Sequence, residues 1–125
     1  MPYRALLRTL LDKEIVLGCI ILTQNGDIWW HNGTFPRIGE SVIDGYYLLS
    51  EWVTYPPSVR IAGVKYISFV NSYPNWWILI NTQGYGSLIL QRAVKNNYYF
   101  LCYLGESQEP LEIQKEIKTM ADLFG

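Results

Sequence analysis

The sequence predicts an α+β domain: a central antiparallel sheet of six strands, with the first and last helices on one face and a middle helix on the other. Three observations carry this prediction. Apolar residues recur at helical spacing in three segments, near the start, the middle and the end of the chain. Between them lie β-branched and aromatic runs of strand length, bounded by Gly, Pro and Asn. The turns joining the later runs are short, which makes those runs a meander. With 125 residues the chain forms one domain, residues 1–125, able to bury roughly two-thirds of its unfolded surface without disulfides or metals.

Each element has its own local reason. Tyr3 to Leu11 reads as an amphipathic helix, with Leu6, Leu7, Leu10 and Leu11 on the apolar stripe and Arg4 and Arg8 on the polar side. Ile15 to Thr23 is apolar and β-branched, the pattern of a strand covered on both faces. Asn25-Gly26 supplies a hairpin turn, because both residues tolerate positive φ, and Ile28 to His31 is the return strand, closed by Asn32-Gly33. A second helix is expected from Ser41, with Asp44 three residues on as an acidic capping box. Val42, Tyr46, Leu49 and Val53 form its stripe, and Pro56-Pro57 end it. Strands follow at Val64 to Asn71, Trp76 to Asn81, Ser87 to Arg92 and Tyr98 to Leu104. The last helix begins at Pro110, and Ile113, Ile117, Met120 and Phe124 are its buried stripe.

Two tryptophan pairs stand out. Successive side chains on a strand point to opposite faces. Trp29 is therefore expected on the side of the terminal helices, and Trp30 on the other face against the second helix. The same rule sends one of Trp76 and Trp77 away from the local core, either as an added contact or as an ordinary strand aromatic.

Ten basic and eleven acidic residues leave a net charge of −1, which argues against a general nucleic-acid or membrane surface. The longest apolar run, Ile15 to Leu22, falls far short of the ~20 residues that span a bilayer, and a cytoplasmic location is expected. Cys19 and Cys102 sit in apolar strand-like runs, where buried reduced thiols are expected. His31 is the single histidine, and there is no phosphate-binding glycine loop, nucleophile elbow or pair of thiols at metal spacing. No catalytic residue, metal or cofactor is therefore expected, and the protein reads as a non-enzyme. Ten Tyr and five Trp point instead to recognition through surfaces. From Arg60 to Gly105 the chain carries Arg60, Lys65, Arg92 and Lys95 and no Asp or Glu at all. If that span forms one sheet, its exposed face favours an acidic partner; the alternative is that the cations guard strand edges against pairing.

Four stretches together carry a family resemblance. "QNGDIWWHNGTFP" resembles the profilin signature, with a hairpin glycine at Gly26, a tryptophan at Trp29 and a proline at Pro36. "IAGVKY", Ile61 to Tyr66, resembles the hydrophobic-Gly-Gly-x-Lys stretch of that family, with Ala62 in place of one glycine. "GYGSLILQR", Gly84 to Arg92, resembles its glycine-rich turn and following strand, and "MADLF", Met120 to Phe124, the end of its last helix. The resemblance implies a small monomeric protein that binds monomeric actin through the end of the second helix, the middle strands and the start of the last helix. Carried over by position, this puts Tyr55, Lys65, Ser87, Gln114, Lys115 and Lys118 in contact, with Tyr85 and Arg92 nearby. It also implies a polyproline site built from Tyr3 and Trp29, with Phe124 substituting for the family's C-terminal tyrosine, and weak binding of acidic phosphoinositides. Val70 and Ile80 stand where the family has arginines, a thinning that suggests a distant branch such as the Asgard archaeal type. Two other functions remain open on the residues alone: a roadblock-like or longin-like scaffold that regulates a small GTPase, and a stand-alone reader of proline-rich peptides.

Overall fold

The computed structural model describes residues 2–35 and 43–124. Its elements are α1 (Pro2–Asp12), β1 (Gly18–Leu22), β2 (Ile28–Gly33), α2 (Gly45–Trp52), β3 (Ser58–Ile61), β4 (Val64–Ser72), β5 (Trp76–Ile80), β6 (Ser87–Arg92), β7 (Tyr99–Leu104) and α3 (Pro110–Asp122). All the strands join one antiparallel sheet in the order β2-β1-β7-β6-β5-β4-β3. The β1–β2 hairpin forms one edge, α2 comes next in the chain, and β3 then starts the opposite edge. The remaining strands return one at a time until β7 pairs with β1.

The sheet thus has seven strands where six are expected, and β3 is the addition. Ala62 and Gly63, with φ of +51° and +80°, form the two-residue turn that folds β3 onto β4. Both central residues of such a turn need positive φ, a position normally held by Gly or Asn. Alanine weakens that signal, so in the sequence only Gly63 marks the hairpin.

Two cores lie on either side of the sheet. On one face, Leu7 and Leu10 of α1 and Ile113, Ile117 and Met120 of α3 pack against Ile21, Ile89 and Phe100. On the other, Leu48 and Trp52 of α2 pack against Leu22, Tyr66, Trp77 and Leu101. Consecutive residues of β7 therefore enter different cores, which is why β1, β6 and β7 read as unbroken apolar runs. The expected stripe of α3 is buried in full, Phe124 included. In α1 the stripe is narrower than expected, since Leu6 is exposed.

The second helix differs from its expectation in start and phase. Asp44 is its N-cap, and its carboxylate accepts a hydrogen bond from the backbone N–H of Tyr47 at 3.0 Å. Ser41, Val42 and Pro36 lie outside the described residues. Leu48 and Trp52 are the buried positions, whereas Tyr46 and Val53 are exposed and Leu49 only half-buried. A close backbone contact sets that rotation. A Cβ built on Gly45 would come within 2.1 Å of the Gly26 carbonyl oxygen, and one on Gly26 within 2.5 Å of the Tyr46 nitrogen. The hairpin glycine therefore serves twice, once for its φ of +91° and once as the seat of α2.

Cys19 and Cys102 face each other across β1 and β7 as free, buried thiols with their sulfurs 3.6 Å apart. Burial above all, with the neighbouring thiol adding to it, pushes the Cys19 thiol well above its ordinary range and keeps it protonated and unreactive.

Candidate recognition surface

The acid-free span forms β3 to β7, and its open part is the face of β3 and β4 on the α3 side. Val64 and Tyr66 point into the α2 core, so Lys65 and Ile67 point the other way. On that face α3 lies mainly over β6 and β7, leaving Lys65 and Ile67 exposed. Arg60 of β3 is paired directly with Lys65 and shares its face. Both line a hollow of about 310 Å³ with Ile67, Asn81, Gln83 and Tyr85. Asn81 holds the far wall in place: its Nδ2 donates to the Lys65 carbonyl at 2.8 Å, and its Oδ1 accepts from the Gln83 and Tyr85 N–H groups at 2.7 and 3.0 Å.

The sheet separates the expected contact residues into two groups. Lys65 and Tyr85 sit together at the end of the sheet that carries the β3–β4 and β5–β6 connections. Tyr55 and Arg92 sit at the opposite end, beside the β4–β5 turn. Tyr55, 59% exposed, lies edge-on to Tyr73 at 6.4 Å. The Arg92 guanidinium donates to Asn97 at 2.9 Å and to Asn75 at 3.1 Å, which holds it against the turns. Lys115 and Lys118 are exposed on α3, but Lys118 is already paired with Asp122 at 2.7 Å.

Two expected contacts are corrected. Ser87 and Gln114 are only 4% and 6% exposed, so neither offers its side chain to a partner. Gln114 is instead the polar pin between α3 and β6, its Nε2 donating to Gln91 Oε1 at 2.8 Å. Gln91 in turn donates to the Arg92 and Asn75 carbonyls. A buried amide bonded to a neighbouring strand inside the protein fixes the docking of the helix rather than a ligand.

The three residues of the expected polyproline site do come together. The Phe124 ring meets Tyr3 at 4.8 Å and Trp29 at 5.6 Å, and Tyr98 and Phe100 complete the group. Phe124 is buried within it and acts as a plug between the other rings, leaving Trp29, 49% exposed, as the accessible member. Trp30 is a correction. It packs on the core of the terminal helices, not against α2, and lines a groove beside α1 with Trp29, Tyr3, Arg4 and Arg8. The cause is a β-bulge: Ile21 pairs with Trp30 but Leu22 pairs with Ile28, so Trp29 is an extra residue that breaks the alternation. Trp76 and Trp77 obey the alternation, one packed on each core.

Sequence reasoning missed Arg60, because the strand that carries it was not recognised. The signal was present in "SVRIAGVKYI", two strand-like runs separated by two residues that end in Gly. Among the described residues no group of three or more His, Cys, Asp or Glu could hold a metal ion, and His31 stands exposed on the edge strand. No described helix is long and apolar enough to cross a membrane. The described residues present two surface features: a half-covered, acid-free sheet face and an aromatic groove beside the terminal helices.

This three-layer arrangement is the profilin fold. It superposes on LokiProfilin2 from its complex with rabbit actin with a TM-score of 0.73 at 15% identity, over 96% of this chain and 92% of the other. LokiProfilin1 in its complex with rabbit actin gives 0.70 at 17% identity, over 96% and 91%. Profilin IA of Acanthamoeba castellanii gives 0.71 at 14% identity, over 98% and 94%. By sequence, no family model and no curated protein matches the chain.

Proposed function

We propose that the chain is a divergent profilin that binds monomeric actin one-to-one and regulates filament assembly. The observation that carries this reading is the open, acid-free face of β3 and β4, which presents Arg60, Lys65, Ile67 and Tyr85 on a fold shared with proteins solved in complex with actin. Cations next to exposed apolar side chains suit an acidic protein surface, since the charges steer the encounter and the apolar groups supply burial. By linkage, a protein that binds only the monomer lowers the pool free to polymerise. The face of β3 and β4 lies at one edge of the sheet, so an interface of standard size, about 800 Å² per partner, would extend from it onto α3 and its exposed Lys115.

The test is pyrene-actin assembly with increasing amounts of the protein and of Lys65→Glu. Wild type should slow assembly in proportion to its concentration, and Lys65→Glu should restore the rate seen with actin alone. If wild type neither slows assembly nor co-elutes with actin monomers, the reading is wrong. The seven-strand order and the near-complete superposition favour this reading over a roadblock-like scaffold. A stable homodimer in sedimentation would reverse that preference.

A further inference from the structure

Arg60 and Lys65 occupy one rung of the β3–β4 hairpin as directly opposed residues of the same charge. Such a pair has Cβ atoms roughly 4.5–5.5 Å apart and works against the hairpin that holds it. Nothing on the described chain relieves it. The one ion pair among the described residues is Lys118–Asp122, and residues 52 to 105 contain no acidic side chain. Glu106, whose carboxylate lies over Gly84 on the β5–β6 loop, does not line the hollow. The hollow is also built in advance: the three bonds of Asn81 fix its wall to the β4 backbone, so binding there orders little new chain.

Resting on the actin reading above, we infer that Arg60 and Lys65 form a two-cation clamp that receives a carboxylate side chain of the partner protein. Arg60 is thereby a specificity-determining residue of this chain. An incoming carboxylate turns the repulsive rung into a bridged one, with the planar guanidinium able to hold it through two parallel bonds and the ammonium adding a point charge. A protein carboxylate is favoured over a lipid headgroup by the surroundings. Recognition of an anionic membrane takes a cluster of about 4–8 cations. The hollow has two, flanked by Ile67 and Tyr85.

The experiment is a titration of fluorescently labelled monomeric actin with wild type, Arg60→Gln, Lys65→Gln and the double variant, run beside thermal melts at low salt. Arg60→Gln should weaken binding about tenfold, with a shallower dependence of the association rate on ionic strength. It should also raise the melting temperature, because it removes the repulsion; a purely structural arginine would do the opposite. The two losses should combine to less than their product, since one carboxylate serves both cations. If wild type binds and Lys65→Gln weakens it while Arg60→Gln binds as wild type, the clamp is disproved and the actin reading stands. If wild type itself fails to bind actin, both fall. A third arm uses phosphatidylcholine vesicles carrying phosphatidylinositol bisphosphate. Loss of vesicle binding in Arg60→Gln with actin binding unchanged would assign the hollow to lipid and overturn the proposal.

Discussion

The chain contains the dipeptide Trp-Trp twice in strands, and the two copies have opposite fates. In β5 the ladder is regular, so Trp76 and Trp77 divide between the two cores. Trp77 is fully buried, stacked on Trp52 with ring planes 2° apart and centroids 6.3 Å apart, and its indole N–H donates to Ser68 at 2.8 Å. In β2 the bulge at Trp29 sends both rings toward the terminal helices, where Trp29 remains half exposed. The same two residues thus serve a core in one strand and a surface in the other. One inserted residue on an edge strand makes the difference, since a shift of one position exchanges the faces of every side chain beyond it.

That contrast can be broken by mutation. Trp77→Ala should cost about 3–5 kcal/mol in a urea or thermal melt, because it empties a closed core and orphans the ring stacked on it. A loss below that of an ordinary surface substitution would mean that the α2 core is not packed as described. Gln114→Leu should cost about 1–3 kcal/mol, since it leaves the buried Gln91 oxygen without its donor. In the actin titration that tests the proposed function, the same variant should bind within a factor of about two of wild type, since Gln114 is buried.

The α2 core also buries Tyr66, whose phenol is pushed well above its ordinary pKa by burial first and by Tyr103 next. An acid with a raised folded pKa contributes its stability in full below the unfolded value of about 10, and loses it as pH climbs from there toward the folded value. Melting temperature under reducing conditions should therefore fall between pH 9.5 and 11.5, steeply for wild type and less steeply for Tyr66→Phe, as about ten is where the unfolded phenol begins to ionise. Parallel slopes for the two proteins would show that Tyr66 is not the group responsible.

Smaller effects belong to the edges. Ala62→Gly should stabilise by about 0.5–1 kcal/mol, because it relieves a left-handed alanine in the β3–β4 turn. A loss in place of a gain would argue that the methyl group packs usefully. Trp29→Ala should change stability by under about 1 kcal/mol. Acrylamide should quench Trp29 readily and Trp77 hardly at all, a difference that single-tryptophan variants would resolve.

Much of the fold was legible because it rests on local chemistry. The period of α3, the apolar runs of β1, β6 and β7 and the Asn25-Gly26 turn each state their structure within a few residues. The site was legible only in part. Position points to Lys65 and Tyr85, and the absence of acids points to the middle strands; the structure brings these two side chains to one hollow. Ser87 and Gln114 were misplaced because burial depends on what α3 covers, and Arg60 escaped because its hairpin turns on an alanine.

By itself, then, the sequence determined the three helical segments and every strand but β3, the two-sided burial of the central strands and the sign of the charge in the middle of the chain. These follow from periodicity, turn chemistry and composition, which act over a few neighbouring residues. Only the tertiary structure decided which way Trp30 faces, how α2 is rotated and which two cations share a rung. Those outcomes depend on strand register and on backbone contacts such as Gly26 against Gly45, between residues far apart in the chain, and no local pattern encodes them.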